Sequence, residues 1–197
     1  MAANRREYNK QETIRHIQAV FLTLYAQDGI QGITVSLLCQ ACGIAKSTFY
    51  LYFDDKFAVL DRMEQELLSQ LRDINPHMEA SDMEAVRAGA PLPSALATAR
   101  FLRAHAESLR ALLGKQGDPN FVYKLKRNIE TGFIQRFLEI YDSPHSAHLA
   151  CAVFSSSLVG LYTHFLFQLP QISEESLSAM LGSLLRYAMF DFRAVAD

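Results

Sequence analysis

Apolar residues recur at helical spacing along almost the whole chain, and no stretch alternates apolar and polar positions as a half-buried strand would. The first such segment is predicted to form a helix over residues 10–28. Asn9 is its candidate N-cap, with Glu12 as the capping-box partner, and Gly29 is a stop signal. One face of this helix collects the apolar positions Ile14, Ile17, Phe21 and Leu24. The pattern therefore predicts an all-α protein.

Two short segments follow the first helix. Thr34 can cap a helix over residues 35–41, Gly43 interrupts it, and a second short helix is predicted over residues 45–51. Two short helices broken by a glycine are typical of a helix-turn-helix, which places its second helix in the major groove of DNA. The predicted core of this unit consists of Leu37, Leu38, Ile44, Phe49 and Phe53.

Glycine and proline mark the boundaries of the later segments. Gly89, Pro91 and Pro93 make residues 79–93 the best linker candidate, and Ser94 is predicted to open a helix that Gly114 closes. Further helix starts are predicted at Asp118-Pro119, Ser143-Pro144 and Ser173. The whole chain is predicted to contain about nine helices and no internal repeat.

Composition narrows the class of protein. The 197 residues are 50% hydrophobic and 20% charged, and the net charge of -2 by itself favours no nucleic-acid or acidic-ligand partner. Three cysteines form no disulfide framework, and the N-terminus lacks the apolar core of a signal peptide, so we predict a cytoplasmic protein. Residues 149–169 are uncharged and long enough to span a bilayer. Their internal Ser, Thr, His and Gln and the absence of flanking Lys/Arg clusters instead favour a buried helix and no membrane partner.

The second short helix presents side chains suited to DNA. Lys46 can reach a guanine edge or a phosphate, and Ser47 and Thr48 are short donors at the front of the helix. Lys56 is a cation in a first helical turn, which is unfavourable unless an anion such as phosphate docks there. The candidate DNA-binding residues are Thr34, Ser36, Lys46, Ser47, Thr48, Tyr50, Tyr52 and Lys56.

Residues 32–60, G-I-T-V-S-L-L-C-Q-A-C-G-I-A-K-S-T-F-Y-L-Y-F-D-D-K-F-A-V-L, resemble the DNA-binding domain of the TetR family of bacterial regulators. Residues 101–121, with a leucine pair followed by G-D-P-x-F, resemble one ligand-domain subgroup of that family. The resemblance implies a helix-turn-helix DNA-binding domain over residues 1–56 and a helical ligand-binding and dimerisation domain over residues 57–197. It also implies an Ω-shaped homodimer that binds a palindromic double-stranded DNA operator and is released by a small molecule.

The chain departs from the family pattern at the DNA-binding residues. Ala45 replaces the usual capping serine, and Ser36 and Leu51 occupy positions where basic residues are frequent. Residues 1–60 contain six Lys/Arg and five Asp/Glu, a net charge of 6 − 5 = +1. Binding would then depend on few phosphate contacts, assisted by an arm at Arg5-Arg6.

Two groups of residues have metal-ligand spacing. Cys39-x-x-Cys42 has the spacing of a zinc knuckle or a redox pair. A zinc knuckle needs two further ligands, which are missing nearby, and a redox pair normally begins a helix, whereas this pair ends one. Both thiols are therefore predicted to be buried structural residues. His145, His148 and Cys151 recur every three residues, and we interpret them as a solvated or interfacial helix face. No metal site, catalytic site or cofactor is predicted.

The C-terminal half supplies candidates for ligand binding and dimerisation. The predicted effector pocket consists of Phe101, Phe121, Phe133, Phe137 and Phe154, with His105 as a polar anchor for a hydrophobic small molecule. Plain core is the alternative, and the lack of basic residues there disfavours a phosphorylated ligand. Small residues at Ala152, Ser156 and Gly160 predict a dimer interface of the last two helices, residues 144–168 and 173–192. Its other predicted members are Leu177, Met180, Leu181, Leu184 and Ala188.

The predicted function is therefore a dimeric DNA-binding regulator, a repressor released by a small hydrophobic effector, and not an enzyme. Two hypotheses remain beside it. One is a stand-alone helical enzyme, for which no nucleophile motif is present. The other is a fold-related co-regulator that acts through a protein partner, which the weak charge of the DNA-binding domain leaves open.

Overall fold

The computed structural model describes the backbone of residues 2–74 and 80–192 and the side chains of residues 7–74 and 82–192. Every regular element in these ranges is helical, which confirms the predicted all-α class. The helices are α1 Ala2–Gly32, α2 Val35–Cys42, α3 Lys46–Tyr50, α4 Lys56–Ile74, α5 Ala80–Ala88, α6 Pro93–Ala104, α7 Ala106–Leu113, α8 Pro119–Ile140, α9 Pro144–Phe167 and α10 Glu174–Arg186. A π-helical turn over Tyr187–Asp191 follows α10 directly.

The chain divides into two compact units. The first comprises Met1–Leu67 together with Ala111–Asp118, and the second comprises Leu68–Arg110 together with Pro119–Asp197. Helix α4 contributes residues to both units, as does α7. The functional division after residue 56 stays a prediction.

The core of the first unit forms around α1 and the two short helices. Ile14, Ile17 and Phe21 are buried as predicted, whereas Leu24 is half-buried and Tyr25 is buried next to it. The rings of Phe21 and Tyr25 stack with their centroids 5.6 Å apart. Burial raises the pKa of the Tyr25 hydroxyl to about 12, with Asp118 and Glu64 adding to the effect.

Three of the five predicted core residues of the helix-turn-helix are buried: Leu38, Phe49 and Phe53. Leu37 is 38% exposed, so its placement in the core was wrong, and Ile44 is half-buried. Neighbouring residues on an α-helix point about 100° apart, so Leu37 and Leu38 do not both face the same core. Leu38 takes the inward position.

Helix α1 is longer than predicted at its N-terminus. Asn9 lies inside the helix and its carbonyl accepts a hydrogen bond from the Thr13 hydroxyl at 2.9 Å, so it is not a cap. At the other end Gly29 adopts φ 63°, and the regular helix is interrupted there as predicted. A Cβ atom at Gly29 would lie 3.2 Å from the Gln116 side-chain oxygen, so both the backbone and the packing favour glycine.

The predicted linker over residues 79–93 is mostly helix, because α5 occupies Ala80–Ala88. Gly89, at φ 68°, follows α5, and Pro93 stands in the first turn of α6. Ser94 is therefore not the cap that was predicted, since Leu92 occupies that position. The single helix predicted from Ser94 to Gly114 is interrupted at His105, whose φ of -107° and ψ of 20° separate α6 from α7.

Helix α9 is the central element of the second unit and packs against α8 and α10. The side chains of Ser143 and Ser173 accept hydrogen bonds from the backbone N–H groups of Ser146 and Ser176, which confirms both as N-caps. By length and composition α9 could cross a membrane, but half of its apolar window is buried inside the protein. A core helix of a soluble protein has the same character.

Candidate DNA-binding surface and C-terminal cavity

The turn between α2 and α3 is fixed by its caps. Thr34 accepts a hydrogen bond from the Leu37 N–H at 3.1 Å and begins α2. Gly43 ends α2 in the left-handed conformation, at φ 66°, and its N–H bonds back to the α2 carbonyls. Ala45 precedes α3 without a side-chain cap, as the sequence indicated. The five-residue α3 is therefore positioned by this turn and by its buried Phe49.

The predicted DNA-binding side chains lie largely in solvent. Lys46, Ser47 and Tyr50 of α3 are exposed, as are Thr34 and Ser36 at the start of α2, whereas Thr48, Tyr52 and Lys56 are half-buried. The exposed set offers one cation and several hydroxyl groups, the groups that bind phosphates and base edges. Their contact with DNA stays a prediction.

Lys56 has protein partners that the sequence reasoning missed. Its ammonium donates hydrogen bonds to the carbonyl oxygens of Ile30 and Ile33, at 2.8 and 2.7 Å. It also lies 5.4 Å from the centre of the Phe57 ring. These carbonyls follow the kink in α1 and provide the negative partner that a cation in a first helical turn requires, so no bound anion is needed to explain Lys56.

Both cysteines of the C-x-x-C pair are buried and free, in agreement with the predicted interior placement. Burial raises the pKa of the Cys42 thiol, and the neighbouring Cys39 adds to the effect. His16 of α1 lies with its Nε2 3.1 Å from the Cys42 carbonyl oxygen. The pair thus belongs to the packing of α1 against α2.

Among the described residues there is no group of three His, Cys, Asp or Glu that could hold a metal ion. His148 is 2.6 Å from the Pro144 carbonyl through Nδ1, while Cys151 is buried against the Glu130 carbonyl. Burial raises the pKa of the Cys151 thiol to about 12. His145 is exposed, so the three side chains that recur along α9 have different surroundings.

A cavity of about 60 Å³ lies in the second unit. Phe133 and Phe154 line it, with ring centroids 5.1 Å apart in an edge-to-face arrangement. Arg72 and Gly132 also line the cavity and are exposed, so they mark its mouth. The remaining lining residues are Leu71, Leu92, Ser94, Ala95, Thr98, Asn128, Ile129, Leu158, Tyr162, Leu181 and Leu185.

The other four predicted ligand-binding residues do not line this cavity. Phe101 contacts His105, with ring centroids 4.5 Å apart, and burial lowers the pKa of His105. Phe121 and Phe137 are fully buried, and Phe137 lies 5.8 Å from Phe154 by ring centroids. A ligand-binding role for these four stays a prediction.

Three buried polar residues of the cavity were not predicted: Thr98, Asn128 and Tyr162. They interrupt apolar helix faces only once each, so the sequence pattern gives no signal that they share a site. The Asn128 side-chain amide donates a hydrogen bond to the Leu68 carbonyl at 2.9 Å. Burial raises the pKa of the Tyr162 hydroxyl well above its usual value.

The last two helices expose a continuous set of small and apolar residues. Ala152, Ser156 and Gly160 are exposed, and a Cβ atom at Gly160 would meet no other atom within 4 Å. Exposed large residues on the same helices are Leu149, Val153, Phe167 and Met180, and Tyr187 is exposed in the π-turn that follows α10. Three predicted interface residues, Leu177, Leu181 and Ala188, are instead buried within the protomer, because they occupy the inward side of α10 and its π-turn.

Comparison with known proteins identifies the first unit. Residues 22–63 match the family model of bacterial regulatory proteins, TetR family. No curated protein sequence matches the chain.

Solved structures share the fold of the chain. The dihydroxyacetone kinase operon activator DhaS is 17% identical with a TM-score of 0.58, over 92% of this chain and 97% of that one. A SmeT–triclosan complex is 12% identical with a TM-score of 0.62, over 90% of each chain. NalD of Pseudomonas aeruginosa, the secondary repressor of the MexAB-OprM multidrug efflux pump, is 14% identical with a TM-score of 0.62, over 91% of this chain and 96% of that one. Residues 22–63 thus match the helix-turn-helix domain of the TetR family of bacterial regulators, and the chain as a whole shares the fold of these solved structures.

Proposed function

We propose that the protein is a repressor that binds a palindromic operator as a homodimer and is released by a small hydrophobic effector. The observation that carries the DNA-binding part is the exposed polar face of α3. Lys46, Ser47 and Tyr50 are exposed there, directly after the turn that Gly43 fixes. A recognition helix reads bases with such side chains while its buried face holds it to the domain.

The proposed dimer uses the exposed faces of α9 and α10. A shallow groove there is lined by Ser157, Leu161, Ala179, Met180, Ser183 and Leu184. Exposed Leu149, Val153 and Met180 extend this apolar surface, and Gly160 leaves room for close helix approach. Two-fold pairing through such a face would present two recognition helices to half-sites about one DNA turn apart.

The proposed effector site is the cavity next to Phe133 and Phe154. Its walls are mostly apolar, which favours a hydrophobic ligand. A ligand larger than about 60 Å³ must widen the walls or extend through the mouth, so it would bind a widened state more tightly than the present one. Helix α4 offers a route to the DNA-binding residues, because Leu71 and Arg72 line the cavity and Lys56 at its other end is bonded to α1 carbonyls.

Proteins of similar structure support parts of this proposal. SmeT forms a complex with triclosan and NalD is a repressor, whereas DhaS is an operon activator. Proteins with this fold thus include one that binds a small molecule, one activator and one repressor. We assign repression to this protein, acting in the cytoplasm without a cofactor and without catalysis.

A co-regulator that acts through a protein partner is the second candidate function. The observation that favours it is the exposure of apolar side chains on the first unit, where Leu37, Leu51 and Phe57 are 38%, 76% and 50% exposed. These exposed apolar side chains could pack against a partner protein as well as against the methyl groups of thymine, because the helix-turn-helix carries little charge.

A gel-shift assay on the DNA upstream of the gene tests the proposal. We expect the wild type to shift this fragment and Lys46→Ala to bind it with a loss of about 1–3 kcal/mol, because a base or phosphate contact is removed. Arg127→Ala is the matched control, since it removes one exposed cation from α8 in the second unit. Equal affinities for the two variants and the wild type would refute the assignment of α3 as the recognition helix.

A further inference from the structure

Two buried polar side chains line the cavity with hydrogen-bonding capacity that the protein does not use. Tyr162 is 4% exposed and Asn128 is 8% exposed. Among the described residues, no hydrogen bond engages the Tyr162 hydroxyl, although the residue is buried in the C-terminal third of α9. Phenylalanine would fill the same volume, so the hydroxyl adds a polar group to the cavity wall rather than bulk.

The hydrogen bonds of Asn128 determine what its amide can offer. Its Nδ2 donates to the Leu68 carbonyl, which fixes the amide and leaves Oδ1 as the free acceptor. The Tyr162 hydroxyl can donate or accept, and burial raises its pKa so that it stays protonated at neutral pH. Asn128 and Tyr162 therefore offer the cavity one acceptor and one group that can both donate and accept, a combination that matches a hydroxyl group on a ligand.

The other walls determine the charge and shape of the ligand. Phe133, Phe154 and Leu158 offer ring faces and methyl groups to an apolar body. Arg72 is the one charged residue that lines the cavity within the described part of the chain, and it stands exposed at the mouth. Since no buried counter-ion is available inside, a charged group placed there would lose its hydration without compensation.

We infer that this cavity recognises an uncharged apolar molecule that carries a hydroxyl group, such as a phenol, and that Tyr162 and Asn128 select it over a hydrocarbon of the same shape. This inference rests on the proposed effector site and specifies its ligand class. A ring that enters through the mouth would place its hydroxyl between the two polar side chains and its edge against the paired phenylalanines.

Calorimetric titration with phenol and with toluene tests the selection, because the two differ only by a hydroxyl in place of a methyl group. We expect the wild type to bind phenol about fivefold to tenfold more tightly than toluene, the range of one net hydrogen bond. In Tyr162→Phe the ratio is expected to fall, because the variant removes the hydroxyl and no internal hydrogen bond, while the Asn128 acceptor remains. Equal binding of phenol and toluene by the wild type would overturn the inference while leaving an apolar effector site in place.

A pair of α8 variants shows whether phenol occupies this cavity. Gly132→Leu places a side chain at the mouth, where the added Cβ meets no other atom within 4 Å, whereas Thr131→Leu places the same side chain at the neighbouring exposed position, which does not line the cavity. Phenol binding is expected to be lost in Gly132→Leu and kept in Thr131→Leu. Loss in neither variant would place phenol elsewhere.

Two further results would also overturn the inference. One is tighter binding of benzoate than of phenol by the wild type, because Arg72 would then be the selecting group. The other is no binding of phenol by a wild type that shifts operator DNA, a result that leaves the proposed regulator intact. If the wild type binds phenol selectively but does not shift DNA, the proposed DNA-binding function is wrong and the inferred ligand class stands.

Discussion

Lys56 illustrates how a single side chain joins distant parts of the first unit. Its ammonium hydrogen-bonds the carbonyls of Ile30 and Ile33, residues that follow the kink of α1 at Gly29. Carbonyl groups beyond a helix kink lack regular helical partners, and a half-buried ammonium satisfies two of them. These hydrogen bonds give Lys56 a structural role that does not require a DNA phosphate.

Replacing Lys56 with methionine tests this role. Lys56→Met keeps the alkyl stem but removes the ammonium from both carbonyls and leaves Ile30 with only a long bond from the Ile33 N–H, at 3.4 Å, so the free energy of unfolding is expected to fall by about 1–3 kcal/mol. Lys46→Met is the matched control, because Lys46 is exposed and its loss is expected to change stability by less than about 0.5 kcal/mol. Urea unfolding followed by circular dichroism measures both. Equal stabilities would mean that the Lys56 hydrogen bonds contribute nothing to the fold.

Individual residues were predictable where periodicity alone decides burial. Leu38, Phe49 and Phe53 are buried as expected, because each continues an apolar helix face. The partners of Lys56 lie 23 and 26 residues away and depend on the position of the α1 kink, so no local pattern reveals them. The position of Tyr162 in the cavity depends on several helices packing around it, so no local pattern predicts it.

Helix boundaries followed the local chemistry wherever a cap was present. Ser143 and Ser173 cap α9 and α10, and Pro119 begins α8, as their side chains or rings require. The break at His105 has neither glycine nor proline, and apolar spacing continues across it, so no local pattern predicts it. The prolines at 91 and 93 predict a long linker, but they mark only the turn before α6.

The exposed face of α9 and α10 leads to a test of assembly. Gly160→Leu is expected to split or distort the dimer, because its side chain projects into the space where a second helix would approach. Gly132→Leu is the matched control, an exposed helical glycine on α8 with equally open surroundings. Sedimentation velocity at micromolar concentration measures the mass of each. A wild type that sediments as a monomer, or a Gly160→Leu dimer of unchanged affinity, would argue against this interface.

The whole molecule and its DNA-binding region both carry little net charge. The chain carries a net charge of -2, and residues 1–60 contribute only 6 − 5 = +1. Lys56 is already engaged with backbone carbonyls, and the side chains of Arg5 and Arg6 lie outside the described residues. Specific contacts to bases and hydroxyl contacts to phosphates must therefore supply much of any affinity for DNA.

The salt dependence of DNA binding follows from this charge distribution. Each neutralised phosphate contributes about -0.9 to the slope of log K against log salt concentration. We expect a slope of about -4 for a dimer that uses two cations per protomer, and Lys46→Ala should reduce its magnitude by about 2, one contact in each protomer. Arg127→Ala should leave it unchanged, because that cation lies on α8 in the second unit.

Fluorescence anisotropy with the upstream DNA fragment between 50 and 200 mM salt, roughly the range over which phosphate contacts dominate, measures this slope. A slope much steeper than about -4 would show that further cations reach the DNA, with the arm at Arg5-Arg6 as the first to replace. The co-regulator hypothesis makes the opposite forecast, because exposed Leu37, Leu51 and Phe57 would then meet a protein partner. In that case the purified chain leaves the fragment unbound even at low salt, and Lys46→Ala behaves like the wild type.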